Sequence, residues 1–142
     1  EGARTVAWIA RGPSYAGALD AALKGQESLG MPATGYSAAE FLHGPIGMYS
    51  SSDRVVIFSG ADEPMASKQA VVTTLLARGV PFITIGTETT HEAGLPIPLP
   101  EERWARTAVF ILLAQLACEE LAHRMDLNPD NPANLNKVTQ TL

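Results

Sequence analysis

Three short, predominantly apolar runs separated by stretches of helical spacing constrain this chain more than any other feature. They are residues 5–10 (Thr5, Val6, Ala7, Trp8, Ile9, Ala10), 55–58 (Val55, Val56, Ile57, Phe58) and 80–85. A strand with one wet face alternates apolar with polar, and these do not. Runs of this kind belong to strands buried on both faces, which occur in parallel sheets covered by helices on either side. The expected fold is therefore α/β, a three-layer α/β/α sandwich with a mainly parallel sheet. Crossovers in such sheets are right-handed, and ligands bind outside the carboxyl ends of the strands.

The intervening segments carry helix punctuation. Arg11, Gly12 and Pro13 break the first run, and Ser14 is predicted to cap a helix over residues 15–29, with Leu19, Ala22, Leu23 and Gln26 at helical spacing. Met31 and Pro32 end it, and a short extended piece at 33–36 leads to a helical turn at 38–42. Asp62 is a good N-cap, Pro64 suits the first helical position, and Gly79 stops the helix predicted over 65–78. Residues 97–99, bracketed by Pro96, Pro98 and Pro100, form at most a short edge strand. The last helix, 102–125, is apolar almost all round in its middle and is expected to be central or buried at an interface. Residues 126–142 are rich in Asn and Pro and lack periodicity, so the chain divides into a domain over 1–125 and a tail over 126–142.

The bulk numbers exclude several function classes. At 142 residues the chain is one domain, long enough to bury a sizeable core. A net charge of −5 argues against nucleic acid or an anionic membrane as partner, while leaving room for a local anion site. The longest apolar run, 108–118, is interrupted by Gln115 and falls well short of the roughly 20 residues a membrane span requires. Cys118 is the single cysteine, so no internal disulfide forms, and a cytoplasmic location is expected. The chain starts almost at its first strand, as an excised domain or one that had lost a preceding half would.

Most of the reactive groups fall in three clusters. Lys24 and Glu27 lie one helical turn apart; in an arbitrary helix this is a surface ion pair worth a few tenths of a kcal/mol. His43, followed by Gly44 and Pro45, reads as a helix end, yet an imidazole titrating near neutrality suits ring opening. Lys137 stands in the polar tail, where composition alone suggests disorder. Arg11, Gly12 and Ser14 follow a strand and open a helix, presenting backbone amides and a hydroxyl to an anion, but without the glycine pattern of a nucleotide loop. Ser59 and Gly60 end another strand, although nearby Asp62 argues against phosphate there. His91 and His123 have no metal-spaced partner and Cys118 reads as core, so no metal site is expected.

Taken in order, these clusters are much more specific than apart. Arg11 to Tyr15, Ala22-Leu23-Lys24 with Glu27, Ala39-Glu40-Phe41-Leu42-His43-Gly44-Pro45, and Asn134-Leu135-Asn136-Lys137-Val138-Thr139 together resemble a sugar isomerase (SIS) domain. The resemblance is to the second of the two such domains in the isomerase part of glutamine–fructose-6-phosphate aminotransferase and in related aminosugar-phosphate isomerases and deaminases. It covers essentially the whole chain and implies a flavodoxin-like strand order. It further implies that the counterpart of Glu27 shuttles a proton between carbons 1 and 2 of an open-chain sugar, with Lys24 near the reacting hydroxyls. His43 would help open the ring from a neighbouring subunit, and Lys137 would form an imine with the ketose. Arg11, Gly12 and Ser14 would touch substrate.

The implied ligand is a hexose or hexosamine 6-phosphate, with no metal or redox cofactor, and the implied partner is a second copy or a first SIS domain. Three departures matter. The Ser/Thr-rich phosphate loops of a first SIS domain and the glutaminase cysteine are absent from this chain, and Ala133 stands where the tail motif commonly carries Arg. A non-catalytic sugar-phosphate sensor or a pure dimerisation domain would keep the fold without needing Glu27, His43 or Lys137.

Overall fold

The computed structural model describes residues 3–60, 65–87, 89, 93–132 and 135. β1 (Val6–Ala10) and β3 (Arg54–Ser59) pair at the centre of a five-stranded sheet, with β2 (Ala33–Ser37) outside β1, and β4 (Phe82–Gly86) then β5 (Gly94–Pro96) outside β3. Every pairing is parallel, giving the order β2-β1-β3-β4-β5. The period-2 alternation of a strand then sends neighbouring residues into separate cores. Ala7, Ile9, Val55 and Ile57 pack against α2 (Ala38–Leu42) and α3 (Met65–Arg78). Trp8, Ala10 and Phe58 pack against α1 (Tyr15–Leu29) and α4 (Arg103–Arg124). This is the expected three-layer sandwich.

Several local expectations are revised. The buried face of α1 is Gly17, Ala18, Ala21, Ala22, Gly25 and Leu29, whereas Leu19 and Leu23 stay 47% and 46% exposed and Gln26 points outward. The reason is close packing. α1 is wedged between the sheet and α4, and a Cβ on Gly17 would already sit 3.3 Å from the Phe110 Cβ. Only small residues fit there, so hydrophobicity alone misassigned the inward face.

Ser14 does not cap α1. Gly12–Ser14 forms a 3-10 turn that runs into the helix, and Ser14 already has helical φ and ψ, so its hydroxyl makes no capping bond. The edge strand ends at Pro96, where it was expected to begin just afterwards. Pro96, Pro98 and Pro100 lack donors, and the last ladder bond is Ile97 N–H to the Gly86 carbonyl at 3.0 Å. α1 is closed by Gly30 in the left-handed conformation, just before Met31. Gly79 (φ +64°) does end α3, with the Val80 N–H bonded to the Leu75 carbonyl. The predicted N-cap residues of α3, Asp62 and Pro64, lie outside the described residues.

Two further features hold the layers in register. Phe58 stacks on Phe110 at 4.5 Å between ring centroids, tying β3 to α4. At the opposite end of the sheet, Arg4 and Asp53, just ahead of β1 and β3, are joined by a two-pronged ion pair at 3.0 and 2.9 Å. Among the described residues no helix is long and apolar enough to cross a membrane.

Candidate active site at the end of the first helix

Lys24 and Glu27 occupy the last two turns of α1, on its outward side, because the inward positions are taken by Ala21, Ala22 and Gly25. The Lys24 Nζ donates to the Glu27 carboxylate at 2.5 Å, with side-chain exposures of 32% and 37%. This hydrogen bond, more than the charge of nearby Asp20, pushes the Lys24 amine above its ordinary range, with desolvation opposing. An amine biased further toward its protonated form is thus held against a carboxylate that remains partly open to solvent. Such a carboxylate can accept a proton from an acidified carbon, and the ammonium can stabilise the oxyanion that results.

Beyond α4 the chain turns back toward this pair. Asp126 takes a left-handed φ of +57°, and the Leu127 N–H bonds back to the Ala122 carbonyl at 2.9 Å. This 6→1 bond about a left-handed residue is a Schellman stop, with aspartate where glycine is usual. The sharp turn sends residues 127–132 across the carboxyl-terminal end of α1. A cleft of about 500 Å³ opens there, lined by Glu27 and Ser28 on the helix and by Asn128, Asn131, Pro132 and Leu135 on the returning chain. A neighbouring cleft of about 480 Å³ is lined by Lys24, Gln115, Glu119, His123 and Asn128, with Cys118 at its floor. Burial, followed by the charge of Asp20, pushes the Cys118 thiol up, so it stays protonated at neutral pH. Lys137 itself lies outside the described residues.

The other expected residues do not join this pair within one chain. His43 is exposed at the end of α2, where a Ser37–Glu40 capping box holds the short helix. α2 packs on the opposite face of the sheet from α1, and neither cleft is lined by His43. Arg11, Gly12 and Ser14 sit where α1 begins, and Glu27 lies 13 residues further on, about 20 Å at 1.5 Å per residue. A single hexose phosphate is too short to touch both.

Residue patterns alone missed the surroundings of that loop. The order in which strands are added to the sheet reverses between β1 and β3, and a crevice at such a switch point is the usual ligand position in open parallel sheets. The Arg11 guanidinium donates to the Ser67 hydroxyl at 2.7 Å, and fully buried Lys68 donates to the Ser59 hydroxyl at 2.6 Å. Arg106, also buried, donates to the Pro100 and Glu101 carbonyls and runs past Gly60 opposite the Ser14 hydroxyl. Strand order was the signal that could have linked these residues, and it is invisible in spacing. Among the described residues no cluster of three or more His, Cys, Asp or Glu is arranged to hold a metal ion.

Comparison with known proteins agrees with this architecture. The chain is 32% identical to a glutamine–fructose-6-phosphate aminotransferase (isomerizing) of Bradyrhizobium diazoefficiens, across 96% of this chain but only 23% of that protein. It spans less than a quarter of the length of such curated relatives. A candidate phosphosugar isomerase from Clostridium difficile superposes with a TM-score of 0.80 at 27% identity, over 93% of this chain and 37% of that one. The C-terminal domain of glucosamine-fructose-6-phosphate aminotransferase from Francisella tularensis gives 0.80 at 20% identity, over 89% of this chain and 37% of that one, a likeness of fold. The profile of the SIS domain matches residues 1–94, which hold β1 to β4 and the Lys24–Glu27 pair, and the chain belongs to the SIS domain family.

Proposed function

We propose that this chain is the carboxyl-terminal SIS half of an aldose–ketose isomerase or deaminase acting on hexose or amino-sugar 6-phosphates. One observation carries the proposal. The chain beyond α4 turns back onto the end of α1, so that Leu135, two residues before Lys137, lines the same cleft as Glu27. With the Lys137 amine beside Glu27 in that cleft, the two groups would suffice for the chemistry. The Lys137 amine adds to the C2 carbonyl of an open-chain ketose and expels water, giving an imine that acidifies the C1 proton. Ammonia then displaces the lysine from C2, leaving a free imine, or water restores the ketone, and Lys137 leaves as the free amine. Glu27 next moves the C1 proton to C2 while the C1 hydroxyl gives up its proton to become the aldehyde, and Lys24 compensates the charge on the neighbouring oxygen.

His43 acts in ring opening from another copy, since its own helix lies on the far layer from Glu27. Arg11, Gly12 and Ser14 bind an anionic group at the switch point, in a crevice separate from the Glu27 cleft. Residues 1–125 are the folded unit in this reading, and 126–142 are the segment that completes the cleft. Sugar phosphate is the ligand, and a second SIS domain, in a copy or in the same polypeptide, completes the enzyme.

Borohydride trapping tests this directly. The chain is incubated with fructose 6-phosphate and borohydride, and the reduced adduct is mapped by peptide mass. The expected result is one adduct, on Lys137, lost in Lys137→Ala and kept in Glu27→Gln, which removes the base without removing the amine. In the assembled enzyme Glu27→Gln lowers isomerisation by about 10²–10⁴-fold. An adduct spread over surface lysines, or none, would overturn the catalytic reading in favour of a sensor or scaffold.

A further inference from the structure

We propose that Asn128 donates a hydrogen bond to the second of the two sugar oxygens that carry charge during proton transfer, a role that rests on the isomerase reading above. The Lys24–Glu27 hydrogen bond marks where the two clefts meet, since Lys24 lines one and Glu27 the other. Among the described residues two line both clefts: Ser28 on α1 and Asn128 on the returning chain. A ligand that reaches both members of the pair from the clefts passes these two residues. The Ser28 hydroxyl can donate or accept, whereas an amide nitrogen only donates.

The Asn128 amide is held so that its nitrogen is the end left over. Its Oδ1 accepts the Asp130 N–H at 3.0 Å, and its backbone carbonyl accepts the Asn131 N–H at 3.2 Å, which ties side chain and backbone into one turn. A flipped amide would set Nδ2 against the Asp130 N–H, donor to donor. Among the described residues Nδ2 donates to no group. The Gln115 and Lys24 donors beside it are engaged, with Asp20 at 3.2 Å and with Glu27.

The chemistry calls for such a donor. Moving the C1 proton to C2 passes through an enediol whose oxygens, at C1 and at C2, carry negative charge in turn. Lys24 is one ammonium, already bonded to Glu27, and serves one of these oxygens. Asn128 Nδ2 serves the other. It gives up no proton, so no bond forms or breaks at Asn128, and the proton account of Glu27 is unchanged. A fixed donor aimed at developing charge contributes about 10²–10³ in rate.

The experiment measures deuterium uptake at C1 of fructose 6-phosphate in heavy water by the assembled enzyme as wild type, Asn128→Ala and Asn128→Asp. Borohydride trapping on Lys137 and thermal melting by circular dichroism accompany it. Aspartate keeps an oxygen for the Asp130 N–H but has no N–H to give, so it separates the donor from the turn. Both variants should lower uptake about a hundredfold or more, while the Lys137 adduct and the melting curve of Asn128→Asp are retained. Wild-type uptake in Asn128→Asp would overturn the proposal, because the turn alone would then matter. So would a loss in Asn128→Asp only, the mark of an added charge. No adduct and no uptake in the wild type would bring down the isomerase reading itself, whereas an adduct with unimpaired variants brings down this inference alone.

Discussion

Removing the Asp53 carboxylate should cost stability, and the cost should vanish in acid. Asp53 is fully buried just ahead of β3, yet four bonds converge on it: Arg4 Nε at 3.0 Å, Arg4 Nη2 at 2.9 Å, the Ser50 amide at 2.7 Å and the Ser50 hydroxyl at 3.0 Å. Burial alone would raise its pKa. The Arg4 hydrogen bonds outweigh that, with those from Ser50 adding to them, and the carboxyl is held below the usual carboxylate range. In Asp53→Ala the Arg4 head group, 63% exposed, recovers water, and Ser50 is exposed too, so neither donor is stranded. Charge-assisted bonds contribute about 1.5–3 kcal/mol each when fully buried. With the partners rehydrating, a total near 2–4 kcal/mol follows for the set.

The pH dependence of this contribution is determined by the lowered folded pKa. A carboxyl whose folded pKa is depressed contributes its stability fully above the unfolded value of about 3.9 and loses it as pH falls through the folded pKa. Urea unfolding of wild type and Asp53→Ala at pH 7, and again stepwise below pH 4, measures the difference directly. It should be about 2–4 kcal/mol at neutrality and shrink as the wild type protonates. A difference under about 0.5 kcal/mol at pH 7, or one independent of pH, would refute the reasoning.

Two other substitutions probe the packing that positions the Glu27 cleft. Phe110 is fully buried, stacked on Phe58 and pressed against Gly17, so Phe110→Ala should lower stability by about 3–5 kcal/mol in urea unfolding; a loss below about 2 would mean that α4 relaxes into the gap. Asp126 holds a left-handed φ at the end of α4, and Asp126→Gly should raise the unfolding free energy measured in urea by a few tenths to about 1 kcal/mol once the extra flexibility of unfolded glycine is subtracted; a destabilised variant would reveal that the Asp126 side chain holds the returning chain.

The geometry suits the proposal that this domain is half of an enzyme. α1 runs from the carboxyl ends of the strands to their beginnings, so its reactive pair faces away from the crevice where an open parallel sheet ordinarily binds ligands. Under that proposal Glu27 serves a cleft built from this domain's far side and from the second SIS domain. His43 lies in the opposite layer, which is why the proposal assigns it to the cleft of another copy.

Local rules were enough to read the alternation of strands and helices, the bounds of α1, α3 and α4, and the pairing of Lys24 with Glu27. Each depends on residues within one helical turn or one strand of each other, and Gly79 ends α3 for a reason contained in its own backbone. That α4 is apolar nearly all round in its middle was likewise visible. Tertiary structure alone decided which side of α1 faces inward, because the limit there is the space left by Phe110 and the sheet, which favours Gly17 and Ala18 over Leu19 and Leu23. It also separated the Arg11 loop and His43 from Glu27 and brought Asn128 and Leu135 to it. Those placements follow from strand order and from a left-handed turn at Asp126, long-range and steric facts that no spacing within the chain encodes.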